Sequence, residues 1–228
     1  MNSRQEQLLK LVIESHVETA EPVGSKFLVS EGRLDWSEAT VRNELRELEE
    51  EGYLSHPHTS AGRMPTEKGY RFYLESLDLN QRQVGKKDGE MLVKIKEVKG
   101  DDETKGKVLA KTLAEISHQT IIVAFSPEKI YYTGLTNLFQ QPEFSELNLV
   151  VNLTNVFDRC EECVEDFYDA VMNEPKYFVG NDQPFGSMLS VLAARWPKTD
   201  KGLVALLGPM RMDYLTNYAL LKKALEVI

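Results

Sequence analysis

The chain has 228 residues, of which 42% are hydrophobic and 28% are charged, and its 36 acidic against 27 basic side chains give a formal charge of −9. This length suits one or two ordinary domains, and the composition excludes a collagenous, mucin-like or wholly disordered chain. The acidic balance argues against a protein that coats nucleic acid non-specifically or binds anionic lipid. It still allows a small basic surface on an acidic body.

The sequence predicts neither a membrane span nor an export signal. No apolar run approaches the roughly 18 residues that a membrane span needs, and charged residues interrupt the first helix where a signal peptide would be apolar. The two cysteines, Cys160 and Cys163, are too close in sequence to staple a fold. We therefore expect a reduced, cytoplasmic protein with no membrane partner.

The first 77 residues have the element order of a winged helix-turn-helix, namely three helices, a hairpin and a further helix. The predicted elements are a helix with an apolar face from Leu8 to Val17, a short helix capped by Ser25 and ended by Gly32, a third helix capped by Ser37 and ended by Gly52, an exposed turn over 56–66 between two short strands, and a helix capped by Thr66.

The third helix carries side chains that read DNA bases and phosphates. The side opposite its apolar stripe (Val41, Leu45, Leu48) presents Ala39, Asn43 and Arg46, and Thr40 and Arg42 lie at the flanks of that side. Arginine fits guanine with two donors, and asparagine pairs with adenine. The glutamates of this helix crowd its C-terminal end, whereas a recognition helix enters the major groove by its N-terminal part. The alternative is the solvated face of an ordinary amphipathic helix.

The turn after this helix has the composition of a phosphate-contacting wing. Thr59 and Ser60 supply hydroxyls, and Arg63, Lys68 and Arg71 face only Glu67 nearby in sequence. The alternative is a plain surface hairpin.

Beyond residue 77 the sequence predicts a connection and then a second domain. Asp78–Lys107 has eight basic and seven acidic residues and four glycines, which indicates a linker or a remnant connection, although residues 91–98 could form a strand or a short helix. Val108–Ile228 alternates strands and helices, as a compact α/β sensor-like domain does. Its predicted strands are 120–125, 129–133, 177–179 and 203–207, and its predicted helices are 157–172 and 214–228.

No catalytic, metal or cofactor site is expected. Cys160 and Cys163 recur with Val164, Phe167 and Val171 at helical spacing, so a buried stripe is favoured over a redox or half-zinc site. Arg211 is expected to pair with an acid or a dimer partner rather than to hold an anionic ligand. No nucleophile has an evident base, so an enzyme is not predicted.

Several motifs together resemble the HrcA family of bacterial heat-inducible transcription repressors. They are 21–26 (EPVGSK), 37–44 (SEATVRNE), 48–54 (LEEEGYL), 57–66 (PHTSAGRMPT), 69–71 (GYR), 132–137 (YTGLTN), 141–144 (QPEF) and 208–214 (GPMRMDY).

The resemblance implies an α+β protein with a winged helix-turn-helix DNA-binding domain over residues 1–77. After the connection over 78–107 it implies a reduced GAF-like dimerisation and regulatory domain over residues 108–228, because family members are longer and carry an inserted subdomain. It implies a homodimer that represses chaperone genes from an inverted-repeat operator of the CIRCE type, with the GroE chaperonin as a partner. The DNA-binding residues it implies are Ser37, Thr40, Arg42, Asn43, Arg46, His58, Thr59, Ser60 and Arg63.

Two other functions stay open. In one, the same winged helix is controlled by a small molecule bound to the C-terminal domain. In the other, the chain is a protein-interaction module that no longer binds DNA.

Overall fold

The computed structural model describes residues 1–32, 34–57, 62–197, 199 and 201–228. Its contacts divide the chain into two compact units, Met1–Leu77 and Asp78–Ile228. Among the described residues, none of the helices is both long and apolar enough to cross a membrane.

The described residues of the first unit form four helices and a two-stranded antiparallel sheet. Its elements are α1 (Ser3–Thr19), α2 (Ser25–Ser30), α3 (Glu38–Glu50), β1 (Leu54–Ser55), β2 (Met64–Pro65) and α4 (Glu67–Glu75). The apolar stripes predicted for the first and third helices are its core, since Leu9, Val12, Val41 and Leu48 are fully buried. Burial of these two stripes fixes which face of α3 points outward.

Two of the three predicted helix caps in this unit are confirmed. Ser37 and Thr66 accept the backbone N–H groups of Thr40 and Gly69, both at 3.2 Å. The predicted cap at Ser25 is wrong, because Gly24 is the N-cap residue and Ser25 is the first residue of α2. The Ser25 hydroxyl instead lies 3.4 Å from a carboxylate oxygen of Glu38.

The second unit is mixed α+β, with one five-stranded sheet covered by helices. Its elements are α5 (Lys86–Val93), a 3₁₀ turn (Lys94–Glu97), α6 (Asp102–Ser117), β3 (Thr120–Ser126), β4 (Lys129–Thr133), α7 (Leu135–Phe139), a 3₁₀ turn (Pro142–Phe144), α8 (Leu147–Asp158), α9 (Cys160–Tyr168), β5 (Lys176–Val179), a 3₁₀ turn (Gly180–Asp182), β6 (Leu189–Arg195), β7 (Leu203–Pro209) and α10 (Tyr214–Val227). The strand order is β4-β3-β7-β6-β5, and every adjacent pair is antiparallel. This architecture is consistent with the GAF-like domain that the sequence predicts.

Alternation along the central strands supplies two separate cores. On β7, Val204 and Leu206 pack on one side with residues of α6 and α10, whereas Leu203, Ala205 and Leu207 pack on the other side with residues of α7, α8 and α9. The sheet is therefore the middle of three layers.

Residues 78–107 do not form the linker that the sequence predicts. They contain α5, the first 3₁₀ turn and the start of α6, and Leu92 and Ile95 are buried in the core of the second unit. Gly106 permits this packing, because a Cβ there would lie 2.5 Å from the Phe125 ring and 3.2 Å from Trp196. The sequence predicts a linker here because the segment contains many lysines and few apolar residues such as Leu92 and Ile95.

Two further sequence predictions in this unit need correction. The single helix predicted over Phe157–Met172 is interrupted at Arg159, where α8 ends and α9 begins. The strand Leu189–Arg195 was missed because it is buried on both faces as far as Ala194, so its residues do not alternate between apolar and polar.

Candidate nucleic-acid interface

The predicted recognition face of α3 is exposed. The side chains of Arg42 and Arg46 are 69% and 64% accessible, and Asn43 is exposed as well. Thr40 is half-buried, and its hydroxyl lies 2.9 Å from that of the exposed Ser37. Four of these five predicted site residues are therefore exposed, from the N-cap Ser37 to Arg46 in the third turn of α3.

Both arginines on this face are paired within their own helix. Arg42 Nη2 lies 2.5 Å from Glu38 Oε1, and Arg46 Nε lies 3.6 Å from Glu50 Oε1. Exposed pairs with this i,i+4 spacing contribute only about 0.3–0.5 kcal/mol. A phosphate or a guanine edge can therefore replace either glutamate at low cost.

Two glutamates near the middle of α3 are engaged with the first helix rather than with this face. Gln5 Nε2 donates to Glu47 Oε2 at 2.8 Å, and Arg4 Nη1 lies 3.8 Å from Glu44 Oε1. Because these two carboxylates contact α1, the outward face of α3 is less acidic than the sum of charges on the helix suggests.

A third segment joins the hairpin. The backbone groups of Val23 and Arg63 exchange two hydrogen bonds of 2.8 Å, next to the pair of β1 and β2. A Cβ on Gly62 would lie 2.6 Å from the carbonyl carbons of Pro22 and Val23, so this approach requires glycine. The sequence predicts 21–25 only as a helix breaker and gives no sign of this pairing, because a single bridge has no periodicity.

The side chain of Arg63 is turned toward α3. Its Nε lies 2.7 Å from Glu49 Oε2, both side chains are 21% exposed, and the other oxygen of Glu49 contacts His56 Nδ1. From the sequence, Glu67 was the only acidic residue predicted to lie near the basic residues of the turn. Glu49 was not predicted as a partner, because it is distant from Arg63 in sequence. A phosphate contact of Arg63 stays a prediction, and it requires exchange of this carboxylate.

The other cations near the hairpin also have partners. Lys68 Nζ donates to the Glu51 carbonyl at 2.7 Å and lies 4.1 Å from the centre of the Tyr53 ring. Arg71 pairs with Glu67. The predicted wing residues His58, Thr59 and Ser60 lie outside the described residues.

The expected pairing of Arg211 with an acid is confirmed, and the expected burial of the two thiols is confirmed for Cys160 and only partly for Cys163. Arg211 is held by Glu143 and Gln141. Cys160 is buried and free, and burial, followed by the nearby Cys163 and Glu161, raises the pKa of its thiol to about 12. The pKa of the half-buried Cys163 thiol is also raised, chiefly by burial. Both thiols therefore keep their protons at neutral pH, which makes them poor nucleophiles.

Comparisons with known proteins point to one family. The family model described as the HrcA protein C-terminal domain matches residues 76–216. Two curated relatives are heat-inducible transcription repressors HrcA. The repressor of Pelotomaculum thermopropionicum is 37% identical over 131 residues, which is 56% of this chain and 36% of that protein. The repressor of Caldanaerobacter subterraneus subsp. tengcongensis is 33% identical over 183 residues, which is 76% of this chain and 52% of that protein. The chain thus spans about half the length of the curated relatives it matches, or less.

One solved structure shares the fold. It is described as a hypothetical protein at 2.2 Å resolution and matches with a TM-score of 0.73 at 18% identity, over 99% of this chain and 97% of that chain. At that identity the likeness shows the fold alone.

Proposed function

The chain belongs to the HrcA family, a family of transcription regulators and not of enzymes, and from this premise we propose that it is a sequence-specific DNA-binding repressor of heat-shock chaperone genes. Met1–Leu77 acts as a winged helix-turn-helix, with α3 as the recognition helix. Asp78–Ile228 acts as the dimerisation and regulatory domain. A repressor of this kind acts on chromosomal operators in the bacterial cytoplasm.

One observation carries the proposal, namely the exposed set of Arg42, Asn43 and Arg46 on a helix whose opposite side is fully buried. Exposed arginines and an amide at the N-terminal part of such a helix supply the donors and acceptors that base edges require. The alternative of an ordinary solvated face explains the arginines equally well from sequence. Similarity to heat-inducible transcription repressors favours the DNA-reading face over this alternative.

The dimer and the operator belong to the same proposal. The chain is acidic, so its affinity for random DNA should be weak, and stable binding should require two half-sites read together by two copies. This expectation matches an inverted repeat of the CIRCE type. In the proposed cycle the GroE chaperonin keeps the repressor competent, and heat releases the genes when unfolded proteins occupy the chaperonin.

Selection of bound duplexes from a random pool, using the full chain, tests the proposal. We expect enrichment of an inverted repeat with a fixed half-site spacing. Recovery of a single, non-repeated site would contradict the dimer, and absence of any enriched sequence from a folded protein would favour the interaction module.

A second candidate keeps the winged helix and makes a small molecule the inducer. A cavity of about 240 Å³ in the second unit favours this candidate. It is lined mainly by apolar side chains of α8 and of the loop before β6, among them Leu149, Leu153 and Met188. Thermal-shift screening with metabolites distinguishes the two candidates. A dose-dependent rise in melting temperature that parallels loss of DNA binding would support the second.

A further inference from the structure

A basic cleft lies in the second unit, between α10 and the segment that leads into α5. Its volume is about 420 Å³, which is within the usual range for small-ligand sites. Its charged lining residues are Arg82, Lys86, Lys222, Lys223 and Glu226. We define these residues, with Asn80 and Tyr218, as the basic cleft.

The charge of the cleft is opposite to that of its surroundings. Four cations face one carboxylate there, whereas residues 78–228 as a whole contain 18 basic and 22 acidic side chains. Like charges gathered in a concave surface repel one another, so this arrangement is unfavourable unless an anion occupies it. Concavity also focuses the field and raises the local concentration of anions.

The cations of the cleft are only lightly neutralised. Lys222 Nζ donates to the amide oxygen of Asn80 at 2.7 Å, and Arg82 lies 4.0 Å from an exposed carboxylate, that of Asp213. Lys223 is paired with Glu226 at 2.6 Å. Within the part of the chain that the structure describes, Lys86 has no acidic partner at salt-bridge distance.

Neutral groups complete the cleft. The α5 helix begins beside it at Gly85 without a side-chain cap, so its first backbone N–H groups are available as further donors. The Tyr218 ring supplies an aromatic wall, with Lys222 Nζ at 5.9 Å from its centre. Amide, ammonium and backbone donors around one concave volume are the groups that phosphate oxygens require.

We propose that the basic cleft is a binding site for a small phosphate-bearing anion. A cleft of about 420 Å³ has room for a compact ligand, whereas a DNA duplex is too wide to enter it. The proposal is independent of operator binding, because every residue that carries it lies in the second unit.

Isothermal titration of the full chain with sodium tripolyphosphate at physiological salt tests this proposal. The cleft variant is Lys86→Glu with Lys222→Glu, and the control is Lys96→Glu with Lys99→Glu, which makes the same charge change at exposed positions outside the cleft. We expect the cleft variant to bind at least about tenfold more weakly and the control to stay within about twofold of the unaltered protein. If the charge-reversed variant does not fold, Lys86→Gln with Lys222→Gln replaces it.

Three results would overturn the proposal. The first is no binding of tripolyphosphate to the unaltered chain. The second is equal weakening in both variants, which would indicate diffuse attraction. The third is a cleft variant that loses affinity for a random-sequence duplex and keeps its affinity for tripolyphosphate, which would assign the cleft to DNA phosphates.

Discussion

Arg211 and Glu143 are joined although 68 positions separate them: Arg211 Nη2 donates to Glu143 Oε2 at 3.0 Å and also to Gln141 Oε1 at 2.7 Å. Their side chains are only 13% and 21% exposed. The contact brings together two motifs that resemble the same family, QPEF and GPMRMDY. It ties the turn after α7 to the loop that begins α10.

Removing either partner of this pair should destabilise the protein. Arg211→Ala leaves the half-buried Glu143 without its cation, so we expect a loss of about 2–3 kcal/mol in the free energy of unfolding. A double-mutant cycle with Glu143→Gln, measured by urea unfolding, should give a coupling energy of about 1–2 kcal/mol. The exposed pair Arg159–Glu162 is the control, and its coupling energy should be much smaller. Equal coupling in both cycles would contradict the structural role.

Arg42→Ala and Arg46→Ala should each weaken operator binding by about 1–3 kcal/mol if the arginine makes a bidentate base contact. The measurement is a gel-shift titration on the selected inverted repeat. Arg159→Ala is the matched control, because Arg159 lies in the second unit, is 70% exposed and is likewise paired with a nearby glutamate, Glu162. Unchanged affinity in both α3 variants would remove the assignment of α3 as the recognition helix.

Arg63→Ala should lower affinity for all DNA sequences to a similar extent and reduce the slope of affinity against salt by about one. Conversely, Glu49→Gln should raise affinity for random duplexes, because it removes the carboxylate that neutralises Arg63. Arg159→Ala, which removes an exposed and paired arginine of the second unit, serves as the control. A loss confined to the operator sequence would show that Arg63 reads bases and does not act through phosphate.

Gly62→Ala should destabilise the first unit by about 2 kcal/mol or more, because the added Cβ meets backbone carbons and forces the Val23–Arg63 bridge apart. Thermal unfolding of the full chain measures this change. Gly24→Ala is the control, since a Cβ there meets nothing within 4 Å, and it should cost less than about 1 kcal/mol. Similar losses in both variants would mean that the close approach is unimportant.

Cys160 should resist alkylation by iodoacetamide in the native protein at pH 8, and it should react at once in denaturant. Its folded pKa of about 12 lies above the ordinary value of 9.0, so the folded state keeps its proton where the unfolded chain has lost it. This thiol should therefore make the protein less stable as pH rises from about 9 toward 12. Cys160→Ala should remove that part of the pH dependence. Rapid native labelling of Cys160 would contradict its burial.

Local sequence patterns were sufficient to predict the local elements and the chemistry that needs only one helix. Helical spacing identified the buried stripe of α3, and therefore its exposed Arg42, Asn43 and Arg46, because a helix places residues on its faces by a fixed rotation. The caps at Ser37 and Thr66 were equally readable, because each depends on a neighbour three residues away.

Contacts between residues far apart in the chain could be identified only from the tertiary structure. No periodicity in the sequence indicates these contacts. They are the ion pairs Arg63–Glu49 and Arg211–Glu143, the bridge from Val23 to the hairpin, and the position of Lys86 and Lys222 in one cleft. The same holds for β6, since burial on both faces erases the alternation by which a strand is recognised. The formal charge of −9 argues only against non-specific DNA binding. Which cations are neutralised by acidic side chains, and which remain exposed, depends on the fold.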